Sequence, residues 1–135
     1  LGLLPAVKYL AEGFQKRTGI KVKIDTQVTS EKRFHQAIET ALYRATQEAL
    51  SNIARHAHAD NVEVRIWTDN QVVYCSILDN GIGFKNSTHT ASGTAAGGLG
   101  LLGIQERINS LHGGFTVNSA AGPGAELLIS IPIRE

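Results

Sequence analysis

The chain has 135 residues, 42% of them hydrophobic, with 13 basic against 12 acidic side chains. That length suits one domain and that apolar share can bury a core. Balanced charge without a basic stripe disfavours nucleic acid as the main partner, a lone cysteine excludes a disulfide framework, and no apolar run approaches the roughly 20 residues that span a bilayer.

Cys75 lies inside an apolar run, which suits a reducing compartment. The opening LGLLPAVKYL has no basic leader and no cleavage site, and the sequence contains no Met. The expectation is therefore a domain taken from a longer chain.

Pro5 fits a first helical turn, Val7, Leu10, Ala11 and Phe14 recur at helical spacing, and Gly19 follows at a stop position. IKVKIDTQV alternates, with Ile20, Val22 and Ile24 on one face, and reads as a strand. Ser30 before Glu31 can cap a long helical region that runs to about His56. NVEVRIWT and QVVYCSILD, joined by a turn at Asp69-Asn70, read as a hairpin. DNGIGF comes next, then KNSTHTASGTAAG, polar and small throughout, which reads as a mobile loop. A helix from about Leu99 to Leu111 ends at His112-Gly113-Gly114. Two short strands, Phe115 to Ser119 and Glu126 to Ile131, close the chain around a Gly122-Pro123-Gly124 turn. The order α-β-α-β-β-loop-α-β-β predicts an α/β (α+β) two-layer sandwich, its sheet mixed and mostly antiparallel with helices on one face.

GGLGLLG, Gly97 to Gly103, contains a literal G-x-G-x-x-G. A dinucleotide fingerprint must follow a strand directly and carry an acid about 20 residues on. Here a polar loop precedes it, and no acid lies between Glu106 and Glu126. A Walker string is absent as well. What remains is general: glycines at a helix start expose backbone N–H groups to an anion. A flexible linker leading into a helix would look the same.

In QEALSNIARHA, Glu48, Asn52, Arg55 and His56 fall within an arc of roughly 100° beside the apolar stripe of Leu42, Ala45, Ala49 and Ile53. Asn52 offers an amide oxygen to Mg²⁺, Arg55 a phosphate fork, Glu48 a carboxylate to polarise a water or hydroxyl, and His56 a flat ring. A solvated helix face is the alternative. Asp79 ends a strand on the face of Val73, Cys75 and Ile77, where an acid is costly without a partner. Gly81 and Gly83 let the backbone turn sharply beside it. An adenine amino group is one such partner; an ordinary Asp-Asn-Gly turn is the plainer reading.

Taken together and in order, QEALSNIARH, DNGIGF, GGLGLLGIQER and GPGAEL resemble the boxes of the GHKL, or Bergerat, ATP-binding superfamily. That superfamily groups DNA gyrase, the heat-shock chaperone ATPase, histidine kinases and the mismatch-repair ATPase. The likeness is strongest to the catalytic domain of nitrate-sensor-type sensor histidine kinases. LGLLPAVKYLAEGFQKRTGI looks like the lead-in from dimerisation helices, and GLLGIQERINSLHGG like the helix after the lid. The resemblance implies one catalytic domain over residues 1–135, with a lead-in at 1–18 and an ATP lid at about 85–98.

It also implies roles. Asn52 matches the Mg²⁺-binding asparagine, and Glu48 the proposed general base or water-orienting acid. Arg55 matches a phosphate-directed basic position, and His56 one that packs beside the nucleotide. Asp79 matches the reader of the adenine amino group, with Gly81 and Gly83 passing the base. Gly98, Leu99, Gly100, Leu101 and Gly103 match the glycine box that closes over the phosphates, and Gly122 and Gly124 the last one. There the family usually has Gly-Thr, whereas this chain has Gly124-Ala125, so a hydroxyl contact is missing.

The implied activity is binding of Mg-ATP and donation of its γ-phosphoryl group to a histidine on a dimerisation domain of the same protein, for relay to a response regulator. None of His35, His56, His58, His89 and His112 has an acceptor-like context, so the acceptor is expected elsewhere. The implied parent is a homodimeric bacterial inner-membrane sensor with this domain in the cytoplasm; the isolated domain is expected to be monomeric and not to bind nucleic acid directly. A non-catalytic nucleotide-sensing module and an anti-sigma-type serine kinase are the alternatives.

Overall fold

The computed structural model describes residues 2–29, 32–56, 59–81, 98–118 and 124–133. The order of elements matches the expectation: α1 (Leu3–Thr18), β1 (Lys21–Thr26), α2 (Gln36–His56), β2 (Asn61–Asp69), β3 (Val72–Asp79), α3 (Gly98–Ser110), β4 (Gly114–Asn118) and β5 (Ala125–Pro132). The strands lie in the order β1-β2-β3-β5-β4. Only β1 and β2 run parallel, as a pair separated by a helix must be free to do, and the hairpin-linked strands are antiparallel. This is the mixed, mostly antiparallel two-layer sandwich that the strand spacing predicts.

Alternation decides which face is covered. Val62, Val64 and Ile66 of β2, Val73, Cys75 and Ile77 of β3, and Leu127, Ile129 and Ile131 of β5 are all buried. Helices pack over that side: α1 against β1 and α2, α2 against β3 and β5, α3 against α2 and β4. The other side carries Glu63, Arg65 and Trp67, and Trp67 stacks on Tyr74 with ring centroids 5.2 Å apart.

Local chemistry sets the ends. Leu3, Leu4, Val7, Ala11 and Phe14 form the buried stripe of α1, and Gly19 ends it in the left-handed region at φ 77°, its N–H bonded to the Gln15 carbonyl at 2.8 Å. The start of α2 differs from the expectation at Ser30: residues 32–35 are not helical, and Ser30 and Glu31 themselves lie outside the described residues. The cap is His35, whose Nδ1 accepts the Ala37 N–H at 3.2 Å. One turn on, the buried Glu39 carboxylate turns back to accept the Phe34 N–H at 2.9 Å and both arms of Arg33 at 3.0 Å. Burial alone would push the pKa of Glu39 up; the Arg33 and Phe34 hydrogen bonds and the Arg33 charge outweigh it and hold the carboxyl below its ordinary value.

The hairpin turn falls one residue later than expected, at Asn70-Gln71, both with positive φ as a two-residue type I′ loop requires. At the end of α3 the Gly113 N–H reaches the Ile108 carbonyl and the His112 N–H the Asn109 carbonyl, both at 2.9 Å. That is a Schellman closure in which His112, at φ 65°, takes the left-handed place. Gly113 is needed for a different reason: a Cβ there would strike the Ser130 carbonyl and sit 2.9 Å from Ile108 Cγ2.

Candidate functional site

The expected site residues gather into two clusters. The first lies on the last two turns of α2. Its apolar stripe, through Leu42, Ala45, Ala49 and Ile53, is buried against the sheet, which leaves Glu48 and Asn52 partly exposed at the border and Arg55 exposed beyond them. The Arg55 guanidinium joins the group. One arm donates to Asn52 Oδ1 at 2.6 Å, another to Ser51 Oγ at 2.8 Å, and the Glu48 carboxylate is 3.9 Å away. His56 ends the same helix; its side chain lies outside the described part of the structure.

The second cluster closes the sheet. Asp79 ends β3, paired with Val62 of β2 and Ala125 of β5. Its Oδ1 accepts the Gly81 N–H at 2.7 Å, which folds the chain back over the carboxylate. Burial pushes the Asp79 carboxyl up from its ordinary range, and the Gly81 and Ala125 backbone N–H groups pull it part of the way back. Gly124 presses on the same point: at φ 97°, a Cβ there would overlap the Asp79 carbonyl oxygen. Ala125, where the family's hydroxyl is missing, thus still meets Asp79 through its main chain.

The chain holds the two clusters at one end of the sandwich. Asp60 follows His56 by four positions, a span of at most about 14 Å. Asn80 Oδ1 then accepts the N–H groups of Asp60 and Asn61 at 2.9 and 3.0 Å, and the Asn80 N–H reaches the Asn61 carbonyl at 3.2 Å. So the turn after Asp79 is tied to the segment that leaves α2. Sequence reasoning missed Asn80 as a clamp and Ser51 as a partner of Arg55; the one available signal was an Asn next to a strand end, a residue type that readily bonds nearby backbone.

The glycine box opens α3, with Gly98, Leu99, Gly100 and Leu101 in its first turn, where free N–H groups and the helix dipole favour an anion. The side chain of Leu101 and the surroundings of Gly98 to Gly100 are not described. Gly103 is exposed in the helix, and a Cβ there would meet nothing within 4 Å among the described residues. Gly83, Gly122 and the lid expected from Lys85, apart from Gly98, lie outside the described residues.

An α/β sandwich with a half-buried acid at a central strand end, an amide-bearing helix beside it and a glycine-rich helix start defines a nucleotide-binding class. The chain belongs to the family of histidine kinase-, DNA gyrase B- and HSP90-like ATPases, whose pattern matches residues 37–135. It is 39% identical over 132 residues to the sensor histidine kinase MctS of Rhizobium johnstonii, covering 98% of this chain and 28% of that protein. It is 34% identical over 135 residues to the oxygen sensor histidine kinase NreB of Staphylococcus carnosus, covering 100% of this chain and 38% of that protein. The chain therefore spans about a third of the length of the relatives it matches. Among solved structures, the blue-light activated histidine kinase EL346 of Erythrobacter litoralis superposes with a TM-score of 0.77 at 18% identity, over 98% of this chain and 46% of that one. The histidine kinase AdeS of Acinetobacter baumannii does so with a TM-score of 0.70 at 17% identity, over 98% of this chain and 64% of that one. Both confirm the Bergerat sandwich.

Proposed function

We propose that this chain holds Mg-ATP and presents its γ-phosphoryl group to a histidine on a dimerisation domain of the same protein, for relay to a response regulator. The observation that carries the reading is the Asp79 corner. A carboxylate is held partly out of water at a strand end, accepting the Gly81 N–H at 2.7 Å, with Gly124 packed so close to the Asp79 main chain that a Cβ would overlap its carbonyl oxygen. An acceptor so placed suits a flat ring bearing an amino donor, and adenine is such a ring. We read residues 1–135 as one such domain, with 1–18 as its lead-in and about 85–98 as its lid.

The donor set fits magnesium. Asn52 and Glu48 offer hard oxygens one helical turn apart, and Mg²⁺ takes one or two such ligands together with phosphates and water. Among the described residues no three His, Cys, Asp or Glu side chains converge into a cage. Bound there, the ion would neutralise charge on the phosphates. Glu48 would orient the acceptor or a water, Arg55 and the first turn of α3 would receive phosphate oxygens, and His56 would pack beside the nucleoside. Among the described residues no helix is long and apolar enough to cross a membrane; we take the parent to be an inner-membrane sensor with this domain in the cytoplasm.

Calorimetric titration tests the site. Mg-ATP should bind the chain and NAD should not; Asp79→Asn should abolish measurable ATP binding, and Asn52→Ala should remove most of the Mg²⁺ dependence while sparing adenine recognition. Unchanged affinity in Asp79→Asn would refute the adenine role. The transfer step is tested by joining the chain to its upstream helices and following labelled phosphate from Mg-ATP; a protein that binds ATP yet never labels a histidine is a sensing module.

A further inference from the structure

The amide oxygen assigned to magnesium is already engaged. Asn52 Oδ1 receives an Arg55 N–H at 2.6 Å, and the guanidinium is steadied from its other arm by Ser51 Oγ at 2.8 Å. The same cation lies 3.9 Å from the Glu48 carboxylate, the second oxygen donor of the set. A planar fork fixed at two points blocks an acceptor more effectively than a diffuse charge does, because its direction is set as well as its sign. All three partners sit on one helix, within seven residues, so no rearrangement of the fold is needed to make or break the contact.

We propose that Arg55 is a latch on Asn52: it occupies the metal-facing oxygen while the site holds no nucleotide, and it leaves only when a polyphosphate draws the guanidinium away. This rests on the ATP reading above and adds an order to it. A divalent cation alone competes with Arg55 for Oδ1 and binds poorly. The β- and γ-phosphates offer Arg55 bidentate acceptors, and its departure frees Oδ1 at the moment the metal's other ligands arrive. Arg55 is then a positioning residue for Asn52 before it is a phosphate ligand.

The test uses the nitrogen-15-labelled chain, with the Asn52 side-chain amide assigned by its loss in Asn52→Ala. Mn²⁺ alone is titrated, and the concentration that half-broadens the Asn52 signal is read. Arg55→Ala should lower it about fivefold, the scale of an exposed charge-assisted contact. Ser51→Ala keeps the Arg55 charge and loosens only the fork, and should lower it about twofold. A wild-type value in Ser51→Ala beside a fall in Arg55→Ala would mean plain charge repulsion, and no change in either variant would mean no latch; both overturn the proposal. Metal-free ATP should shift the Arg55 Nε–H signal and the Gly81 amide together, whereas AMP should shift Gly81 alone. ATP that moves Gly81 but leaves Arg55 in place overturns the release step. If neither nucleotide moves Gly81, the ATP reading itself falls, while the Mn²⁺ comparison still decides the latch.

Discussion

Replacing Gly124 by Ala should damage the fold and the nucleotide site together. Gly124 has φ 97°, in the region where an L side chain costs about 1–2 kcal/mol. Its Cβ would overlap the Asp79 carbonyl oxygen, 3.0 Å from the carbonyl carbon and 3.2 Å from Asn80 Cα. These atoms belong to backbone with no rotamer to yield, so the strand end has to move. That move loosens the Asp79–Ala125 pairing and the Gly81 turn, at about 1 kcal/mol for each hydrogen bond weakened. Together the terms give a loss of about 2–4 kcal/mol in denaturant unfolding. ATP affinity should fall at least about tenfold, because the shift moves the Asp79 carboxylate by more than a hydrogen bond tolerates. Gly114→Ala is the control: its Cβ would meet only the rotatable Ser130 Oγ, at 3.0 Å, and should cost under about 1 kcal/mol. A Gly124→Ala chain as stable as wild type, or one that is destabilised yet binds ATP normally, would refute this reasoning.

Asp79→Asn should separate stability from binding: burial raises the Asp79 carboxyl, so its charged form is the unfavourable one in the folded state. Its contribution is present below the unfolded value and lost as pH rises through the raised folded value, so the variant should match or exceed wild type at neutral pH and lose that advantage on acidification, read by denaturant midpoints across pH. Glu39→Ala has the opposite sign. It should cost about 1–2 kcal/mol at neutral pH, since the Phe34 N–H loses its acceptor, and the gap should close as pH falls through the depressed folded value of Glu39. Gly103→Ala should raise stability by about 0.5–1 kcal/mol in thermal unfolding, and weaken ATP binding if the glycine serves phosphate approach. Burial pushes the Cys75 thiol up to about 12, so an alkylating reagent should label it only at the rate of unfolding, as followed by mass spectrometry.

What the sequence made legible was periodic. VVYCSILD and NVEVRIWT alternate strictly enough to place both strands and the face of Asp79, and the element order then leaves few topologies. What it hid was contact across distance or against propensity. The Ser30-Glu31 pair looks like a helix start, yet the cap is His35, outside the residue types that usually serve there. His112 holds a left-handed place that two following glycines seemed to offer. Asn80 bonds to Asp60 and Asn61, and Gly124 presses on Asp79; partners 20 and 45 residues apart leave no local pattern. Motif likeness named Asn52 and Arg55 but not their mutual bond, because a motif records residue types and a hydrogen bond depends on rotamers.

The two ends of α2 show where local rules are broken. At its start, Arg33, Phe34, His35 and Glu39 pair their donors and acceptors, and the ion pair is tuned to stay charged. At the other end, about 30 Å along a helix of this length, the accounts do not close in the same way. Asp79 is an acid held where burial disfavours its charge, and Gly124 takes a conformation most residues avoid. Gly103 weakens a helix without a neighbour among the described residues that needs it, and Arg55 ties down the Asn52 amide oxygen. Asp79 and Gly124, which meet at one strand end, each cost stability in the chain alone. Local inconsistency concentrated in this way is what a ligand site leaves in a fold. On the proposed reading, a nucleotide with its metal would give the Asp79 carboxylate a donor and Arg55 a stronger acceptor, one cause for both features.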